Sequence, residues 1–178
     1  AYNGKTFAEL IHGGRCMIRT DIPLLGASDS EYQGRHVKGM DAKDMEEVIA
    51  LCVEFAHQAR RSGFDGIMMH FAHGWLFHDF LSPLSNHRAD EFGGSVENRC
   101  RFPLMALKAV REVIGDDLLI ELRLNGNDEM EGGITPEDAA QQALIFQDYA
   151  DMIHITCSTR LDVTSRPRMT PTSFFPTE

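Results

Sequence analysis

The sequence predicts an α/β fold assembled from parallel βαβ units. Apolar, strand-like stretches alternate with amphipathic, helix-like stretches, as expected for strands joined by helical crossovers. The helix-like stretches also begin and end at good capping residues, and no repeat, low-complexity tract or linker marks a second domain. We therefore expect residues 1–178 to form one domain, in which residues 158–178 are an irregular tail.

Two strands and one helix are predicted in the first part of the chain. Residues 6–12 form the first strand candidate, and residues 16–40, rich in Gly, Ser, Asp and Pro, are predicted to be a long loop. Asp41 is a good N-cap for the next helix, and Gly63 is a good terminator. Residues 64–71 are the second strand candidate. The predicted buried face of the helix consists of Val48, Cys52, Phe55, Ala56 and Ala59.

A second helix follows another long loop. It is predicted to begin after Ser95 and to end at Ile114, before Gly115. Pro103 lies inside it, and because an interior proline removes a backbone hydrogen bond, we expect a bend or a later start. The predicted buried stripe consists of Phe102, Met105, Ala106, Ala109, Val110 and Val113.

Two strands and a third helix complete the pattern. Residues 118–124 and 152–157 are strand candidates, and Thr135 with Pro136 is a strong helix start. We expect this helix to end near Ala150. The alternation predicts a parallel sheet that helices cover on both faces.

Composition argues against several classes of function. The chain has 17 Lys and Arg against 27 Asp and Glu, a formal net charge of -10. Binding to nucleic acid or to anionic membranes needs a basic surface, so neither partner is expected. No apolar run approaches the roughly 20 residues of a membrane span, and the N-terminus has no signal-peptide pattern. We therefore expect a cytoplasmic protein.

The four cysteines, Cys16, Cys52, Cys100 and Cys157, are widely separated. No two of them have the spacing of a zinc or iron–sulfur motif. We expect buried thiols in a reducing compartment.

Polar side chains mark the carboxyl ends of all four predicted strands, the edge at which α/β folds bind ligands. Singly, such residues are more often structural, but together they predict a shared cavity. They are Glu9 and His12, then His70 and His73, then Arg123, and finally His154 and Ser158.

Two chemistries fit the histidines in this set. His70, His73 and His78 could serve a metal-dependent hydrolase, but they lack the helical spacing and the carboxylate partners of known metal motifs, so we predict no metal site. Alternatively, two imidazoles can donate hydrogen bonds to a developing oxyanion. Arg123 on the neighbouring strand could then hold a second anionic centre, such as a reduced cofactor.

Three segments resemble the Old Yellow Enzyme family of flavin oxidoreductases, which includes the 2,4-dienoyl-CoA-reductase-like enzymes. Residues 70–102 contain HFAHGWL, FLSP and NHRADEFGGSVENRCRF at the family's spacing. Residues 7–15 (FAELIHGGR) look like the family's third barrel strand. Residues 123–133 (RLNGNDEMEGG) look like its fifth strand and the following loop.

The resemblance implies a TIM (β/α)8 barrel, of which this chain holds about strands 3 to 6, hence a partial barrel. It also implies an FMN cofactor that is reduced by NADH or NADPH and passes hydride to an activated C=C bond of a small-molecule substrate. By position, His70 and His73 would hold the substrate carbonyl oxygen, and Arg123 would lie beside flavin N1 and O2. Residues 86–102 would be architectural.

Two residues depart from the family pattern. Trp75 stands where the family usually has the Tyr that protonates the substrate, and an indole N–H is no practical acid at neutral pH. Glu9 stands where the family usually has a Gln that bonds the pyrimidine edge of flavin, and an ionised carboxylate accepts hydrogen bonds but cannot donate them. The resemblance still assigns Trp75 to a catalytic position and Glu9 to a cofactor-binding one.

Three functions remain open at this point. The first is the flavin-dependent reduction of an unsaturated carbonyl compound. The second is a catalytically inert barrel fragment or assembly module, since an open sheet leaves two edge strands unpaired and favours a homo-oligomer through those edges. The metal-dependent barrel hydrolase is a distant third.

Overall fold

The computed structural model describes residues 4–19 and 21–157, and alternates strands with helices throughout. In chain order its elements are β1 (Phe7–Leu10), a 3₁₀ turn (Gly14–Cys16), β2 (Leu24–Gly26), β3 (Ser30–Tyr32), β4 (Arg35–Gly39), α1 (Ala42–Arg61), β5 (Gly66–Phe71), α2 (Leu76–Leu81), α3 (Val96–Ile114), β6 (Leu119–Asn127), α4 (Pro136–Phe146), a second 3₁₀ turn (Gln147–Tyr149) and β7 (Met152–Cys157). The predicted tail lies outside the described residues.

The central sheet is parallel, and its strand order, β1-β5-β6-β7, follows the order of the chain. Because parallel crossovers are right-handed, a sheet whose order never reverses has its connecting helices on one face. In agreement, α1 packs against α3 and α3 against α4. The prediction of helices on both faces is therefore wrong, and the arrangement is typical of a barrel wall.

Side-chain alternation gives this sheet one apolar face and one polar face. The helix-facing residues belong to the hydrophobic core and are completely buried: Ile67, Met69, Phe71, Ile120, Leu122 and Leu124. The register places the intervening residues on the other face, which carries Glu9, Met68, His70, Glu121, Arg123, His154 and Thr156. The polar face is therefore the one available for chemistry.

Capping residues set the helix ends as predicted. The Asp41 carboxylate accepts from the Asp44 backbone N–H at the start of α1, and Thr135 makes the equivalent bond to Asp138 at the start of α4. Gly63, with φ of +77°, follows the end of α1, where the left-handed backbone conformation favours glycine. These caps fix where each helix leaves the sheet.

The start of α3 confirms the prediction, and its buried surface differs from it. The helix begins at Val96, directly after its Ser95 cap, and runs through Pro103, so the proline does not delay its start. Met105, predicted to be buried, is 41% exposed, whereas Leu107 is 0% exposed. The helix packs against α1, α2 and α4. Its buried surface therefore includes Leu107 in addition to the stripe of Phe102, Ala106 and Val110.

The two predicted loops contain structure that the sequence did not reveal. Residues 16–40 hold a small sheet of order β2-β4-β3, whose strands are too short to show a period. Helix α2 interrupts the second loop. All six of its residues are buried, including His78 and Asp79, so it has no exposed face and shows no amphipathic pattern.

The block of residues 86–102 is architectural, as expected. Arg88 Nη1 donates to the carbonyls of Ala27 (2.9 Å) and Met40 (2.8 Å), and Arg99 Nε donates to the carbonyl of Leu81 (2.8 Å). Arginines that donate to main-chain carbonyls satisfy loop groups that otherwise need water. The block thereby ties residues 16–40 and the end of α2 together.

The cysteines fall into different environments. Cys52 and Cys100 are buried, and burial raises the pKa of each thiol to about 12. Cys16 is half-buried and Cys157 is exposed, so the prediction that all four are buried is wrong. Separately, none of the helices formed by residues 4–19 and 21–157 is long and apolar enough to cross a bilayer.

A buried carboxylate fixes the loops that carry the site. Asp128, which follows β6, is 1% exposed and accepts four hydrogen bonds. They come from His78 Nε2 (2.8 Å), Asn125 Nδ2 (2.9 Å), Ser82 Oγ (2.6 Å) and the Ile134 backbone N–H (3.0 Å). Burial alone would raise the pKa of Asp128, but the hydrogen bonds, led by that of His78, more than offset it and hold the pKa at about 2.

We expect Leu107→Ala and Met105→Ala to differ sharply in stability. Leu107→Ala should lower the free energy of unfolding by about 2–5 kcal/mol, because it removes methyl groups from a filled core. Met105→Ala should cost less than about 1 kcal/mol because its side chain is half in water. Urea unfolding followed by circular dichroism measures both. Equal losses would contradict the burial described for α3.

We expect Asp128→Asn to lower the free energy of unfolding at pH 7 by about 2–4 kcal/mol, because an amide cannot accept all four donors. A carboxyl with a lowered folded pKa adds stability above its ordinary pKa, and this is lost as pH falls through about 2. The variant should therefore lose less stability than the parent between pH 5 and pH 2. Asp148→Asn, at an exposed position, is the control, with an expected change under about 0.5 kcal/mol. Identical pH profiles for the parent and Asp128→Asn would refute the expectation.

Candidate functional site

The candidate site lies on the polar face, at the carboxyl ends of the four parallel strands. Its centre is a chain of three hydrogen bonds. Glu9 Oε1 lies 2.7 Å from His70 Nδ1, His70 Nε2 lies 3.0 Å from His73 Nδ1, and His73 Nε2 lies 3.0 Å from Thr156 Oγ1. The hydrogen-bonded chain thus runs from β1 to β7.

His73 reaches this chain through an unusual backbone conformation. Its φ is +61°, in the left-handed region, and Gly74 follows at +76°. For a non-glycine residue this conformation costs about 1–2 kcal/mol, so neighbouring contacts must hold it. The His73 backbone N–H donates to Asn125 Oδ1 at 3.2 Å, and Asn125 is itself anchored to Asp128. The loop after β5 therefore turns back and brings His73 beside His70.

The electrostatic surroundings favour the neutral form of His70. Its side chain is only 5% exposed, and burial is the largest cause that lowers the pKa of His70. Arg123 and His78 lower this pKa further, whereas the hydrogen bond and the charge of Glu9 raise it. Glu9 is 44% exposed and connects the chain to the open side of the sheet.

Arg123 adds a buried donor beside the histidines. It pairs with His70 in the sheet register, and its Nε has no hydrogen-bond partner among the described residues. An unsatisfied buried N–H costs about 1–3 kcal/mol, and a ligand that accepts a hydrogen bond from Arg123 Nε would remove this cost. A flat heterocycle rich in carbonyl oxygens and ring nitrogens, such as flavin, would satisfy it, and the residues present fit that group.

The other predicted residues lie at different places. His12 Nδ1 accepts from the Gly14 backbone N–H (3.2 Å), and burial lowers the pKa of this histidine, so it serves the turn after β1. Trp75 is half-buried at the N-cap of α2. His154 bonds Glu121 at 2.8 Å, apart from the histidine chain. Ser158 lies outside the described residues.

His78 does not join the other histidines. Its Nδ1 accepts from the Gly74 backbone N–H (3.1 Å), so its proton is on Nε2 and is donated to Asp128. Neither ring nitrogen is left for a metal. Within residues 4–19 and 21–157, no three His, Cys, Asp or Glu side chains are grouped to hold a metal ion. His78, one of the three ligands proposed for the metal-dependent hydrolase, is therefore engaged elsewhere.

Three residues of the site were not identified from the sequence. Thr156 and Asn125 lie near the ends of β7 and β6, and the alternation of apolar and polar residues in LIELRLN was a usable signal for Asn125. Asp128 had no such signal, since acidic residues after a strand are usually solvated.

Comparisons with known sequences identify relatives of the chain. The family model for the NADH:flavin oxidoreductase / NADH oxidase family matches residues 1–177. An NADPH dehydrogenase of Clostridium acetobutylicum is 37% identical over 87% of this chain and 47% of its own length. An NADH oxidase of Thermoanaerobacter brockii is 33% identical over 83% of this chain and 24% of its own length. The chain thus spans about half or less of these relatives.

Solved structures give the same picture. An old yellow enzyme homologue from Zymomonas mobilis superposes with a TM-score of 0.74 at 28% identity, over 88% of this chain and 48% of that one. A 2-naphthoyl-CoA reductase, in complex with 2-naphthoyl-CoA, superposes with a TM-score of 0.75 at 28% identity, over 84% of this chain and 26% of that one. The chain therefore belongs to the NADH:flavin oxidoreductase / NADH oxidase family, the Old Yellow Enzyme family of TIM-barrel flavoproteins, whose members use FMN with NADH or NADPH.

Proposed function

We propose that the protein containing this chain is an FMN-dependent oxidoreductase that reduces an activated C=C bond of an unsaturated carbonyl compound or a related small molecule. One observation carries the proposal: the linked imidazoles of His70 and His73 adjoin the unsatisfied Arg123 Nε at one edge of the sheet. This edge is where α/β barrels conduct their chemistry.

We also propose that the chain contributes about strands 3 to 6 of an eight-stranded barrel. Its strands follow chain order, and its helices lie on one face, as in a barrel wall. Among the described residues, β1 pairs only with β5 and β7 only with β6, so each has an open edge. Further strands on those edges would continue the barrel.

The cofactor would be held by Arg123 and Glu9. When bound, FMN supplies hydride that it has received from NADH or NADPH. The Arg123 guanidinium carries a permanent charge and an unused N–H, and both suit the electron-rich pyrimidine part of a reduced flavin. The Glu9 carboxylate is an acceptor only, so it suits a ring N–H rather than a carbonyl.

The substrate carbonyl would be bound by His70 and His73. The donor at this oxygen would be His73 Nε2, with His70 holding the His73 ring through Nδ1, and an imidazole N–H there stabilises the negative charge that develops as hydride reaches the β-carbon. Placement in a largely buried position strengthens these hydrogen bonds, because less water competes for the same oxygen. Trp75 offers no acidic group, so the proton for the second carbon has another source.

The inert or assembly module remains the second candidate. The observation that favours it is the open edge of β7, where Met152 is 46% and Ile155 is 54% exposed. Exposed apolar residues on an unpaired strand favour pairing with another chain, such as a second copy of this one.

We expect the 178-residue chain to bind FMN and Arg123→Met to weaken that binding by at least about tenfold, since a hydrogen bond to a charged group contributes about 1.5–3 kcal/mol. Quenching of flavin fluorescence on titration measures the affinity. Arg61→Met is the matched control, because this arginine is exposed on α1, and its affinity should equal the parent's. A parent chain that remains colourless in excess FMN would instead support the inert module.

We expect the FMN-loaded protein to oxidise one equivalent of NADH or NADPH for each equivalent of 2-cyclohexenone reduced under anaerobic conditions. His70→Leu should lower kcat/KM for the enone by about 10²–10³-fold, because His73, the donor to the developing oxyanion, loses the imidazole that orients it. Nicotinamide absorbance and product chromatography measure both. FMN that is bound and reduced, without any enone reduction, would overturn the assignment of the acceptor.

A further inference from the structure

The hydrogen-bonded chain from Glu9 to Thr156 has a definite direction when both histidines are neutral. A glutamate carboxylate only accepts, so the proton between Glu9 and His70 is on His70 Nδ1. His70 Nε2 must then accept from His73 Nδ1, and His73 Nε2 must accept from the Thr156 hydroxyl. Every donor in the chain therefore points toward Glu9.

One additional proton reverses part of this order. When His70 is an imidazolium it donates from both nitrogens, to Glu9 and to His73 Nδ1. The extra proton binds His73 Nε2 while the His73 Nδ1 proton passes to His70 Nε2, so His73 then accepts at Nδ1 and its Nε2 becomes a donor. The Thr156 hydroxyl can rotate and accept from it, because a hydroxyl has both roles. The positive charge that Glu9 stabilises on His70 is thus accompanied by a donor N–H on His73 Nε2, at the opposite end of the two rings.

We propose that Glu9, His70 and His73 form a proton relay, in which a proton taken up by His70 against the Glu9 carboxylate makes His73 Nε2 a proton donor to the substrate. Glu9 is the positioning residue of this relay rather than only a flavin contact. The proposal rests on the proposed function for its substrate, but the relay itself is a property of this chain.

The relay supplies the proton that the reduction needs and that Trp75 cannot give. Hydride adds two electrons and one hydrogen to the β-carbon and leaves an enolate. The His73 Nε2–H bond breaks and an O–H bond forms on the enolate oxygen, while the His70 Nε2 proton moves to His73 Nδ1. Both imidazoles end neutral, the Glu9 carboxylate is unchanged, and the enol becomes the ketone in water.

The charges around His70 are arranged for this role. Glu9 on β1 favours its protonated form, whereas burial, Arg123 on β6 and His78 on α2 oppose it, and the net effect is a lowered pKa. The imidazolium is therefore a stronger acid than an ordinary histidine, which suits proton donation. The pair is recharged at His73 Nε2: this nitrogen takes up a proton while the His73 Nδ1 proton passes to His70 Nε2.

Imidazole ¹⁵N NMR of the labelled full chain, recorded from pH 5 to pH 8.5 without flavin, tests the relay. At high pH, His70 should carry its proton on Nδ1, and His70 and His73 should titrate with one shared midpoint. In Glu9→Gln this midpoint should fall by about one pH unit, because the amide accepts the same bond without the charge. The backbone amide spectrum verifies that the variant is folded.

Glu121→Gln is the matched control, because Glu121 makes the same kind of bond to His154 on the same face of the sheet. It should leave the shared midpoint of His70 and His73 unchanged, because Glu121 contacts neither ring. The relay is overturned if His70 of the parent carries its proton on Nε2 at high pH, a result that needs no variant. It is equally overturned if His73 does not follow the Glu9 substitution. Neither readout involves FMN or turnover, so a failed flavin titration would count against the proposed function and leave this result standing.

Discussion

The buried Asp128 carboxylate is the interaction on which the geometry of the site depends. Its four accepted hydrogen bonds join the loop after β6 to α2 and to Asn125. Asn125 in turn holds the His73 backbone in a left-handed conformation that a histidine would not adopt unaided. Asp128 therefore fixes the distance between His70 and His73 through Asn125, although it contacts neither ring.

The two faces of the sheet have different roles: one packs against the helices, and the other carries the candidate site. Residues such as Ile120, Leu122 and Leu124 face the helices and are completely buried. Their neighbours Glu121 and Arg123 face the other way. Because strand order follows chain order, the right-handed crossovers place the connecting helices on the first face. Charged groups can gather there without disturbing the packed core, at the cost of desolvation that a ligand can relieve.

Much of this arrangement could be predicted from the sequence, where the signals are local. Caps at Asp41, Ser95 and Thr135 located three helices, and polar residues at strand ends located the site. The failures have physical causes. Strands β2 to β4 are too short to show a period, and α2 is buried all round. The bond between Glu9 and His70 depends on strand register over 61 residues of chain, which no local pattern encodes.

The hydrogen-bonded chain across the site has a consequence for how such barrels can be rebuilt. Its ends, Glu9 and Thr156, lie on the two outermost strands of the four, and its middle is anchored to both inner ones. A break or a register slip between any two neighbouring strands of the sheet separates residues that belong to this hydrogen-bonded chain. In recombining barrel halves from different enzymes, these four strands are therefore an indivisible block, and crossover points belong outside β1 and β7.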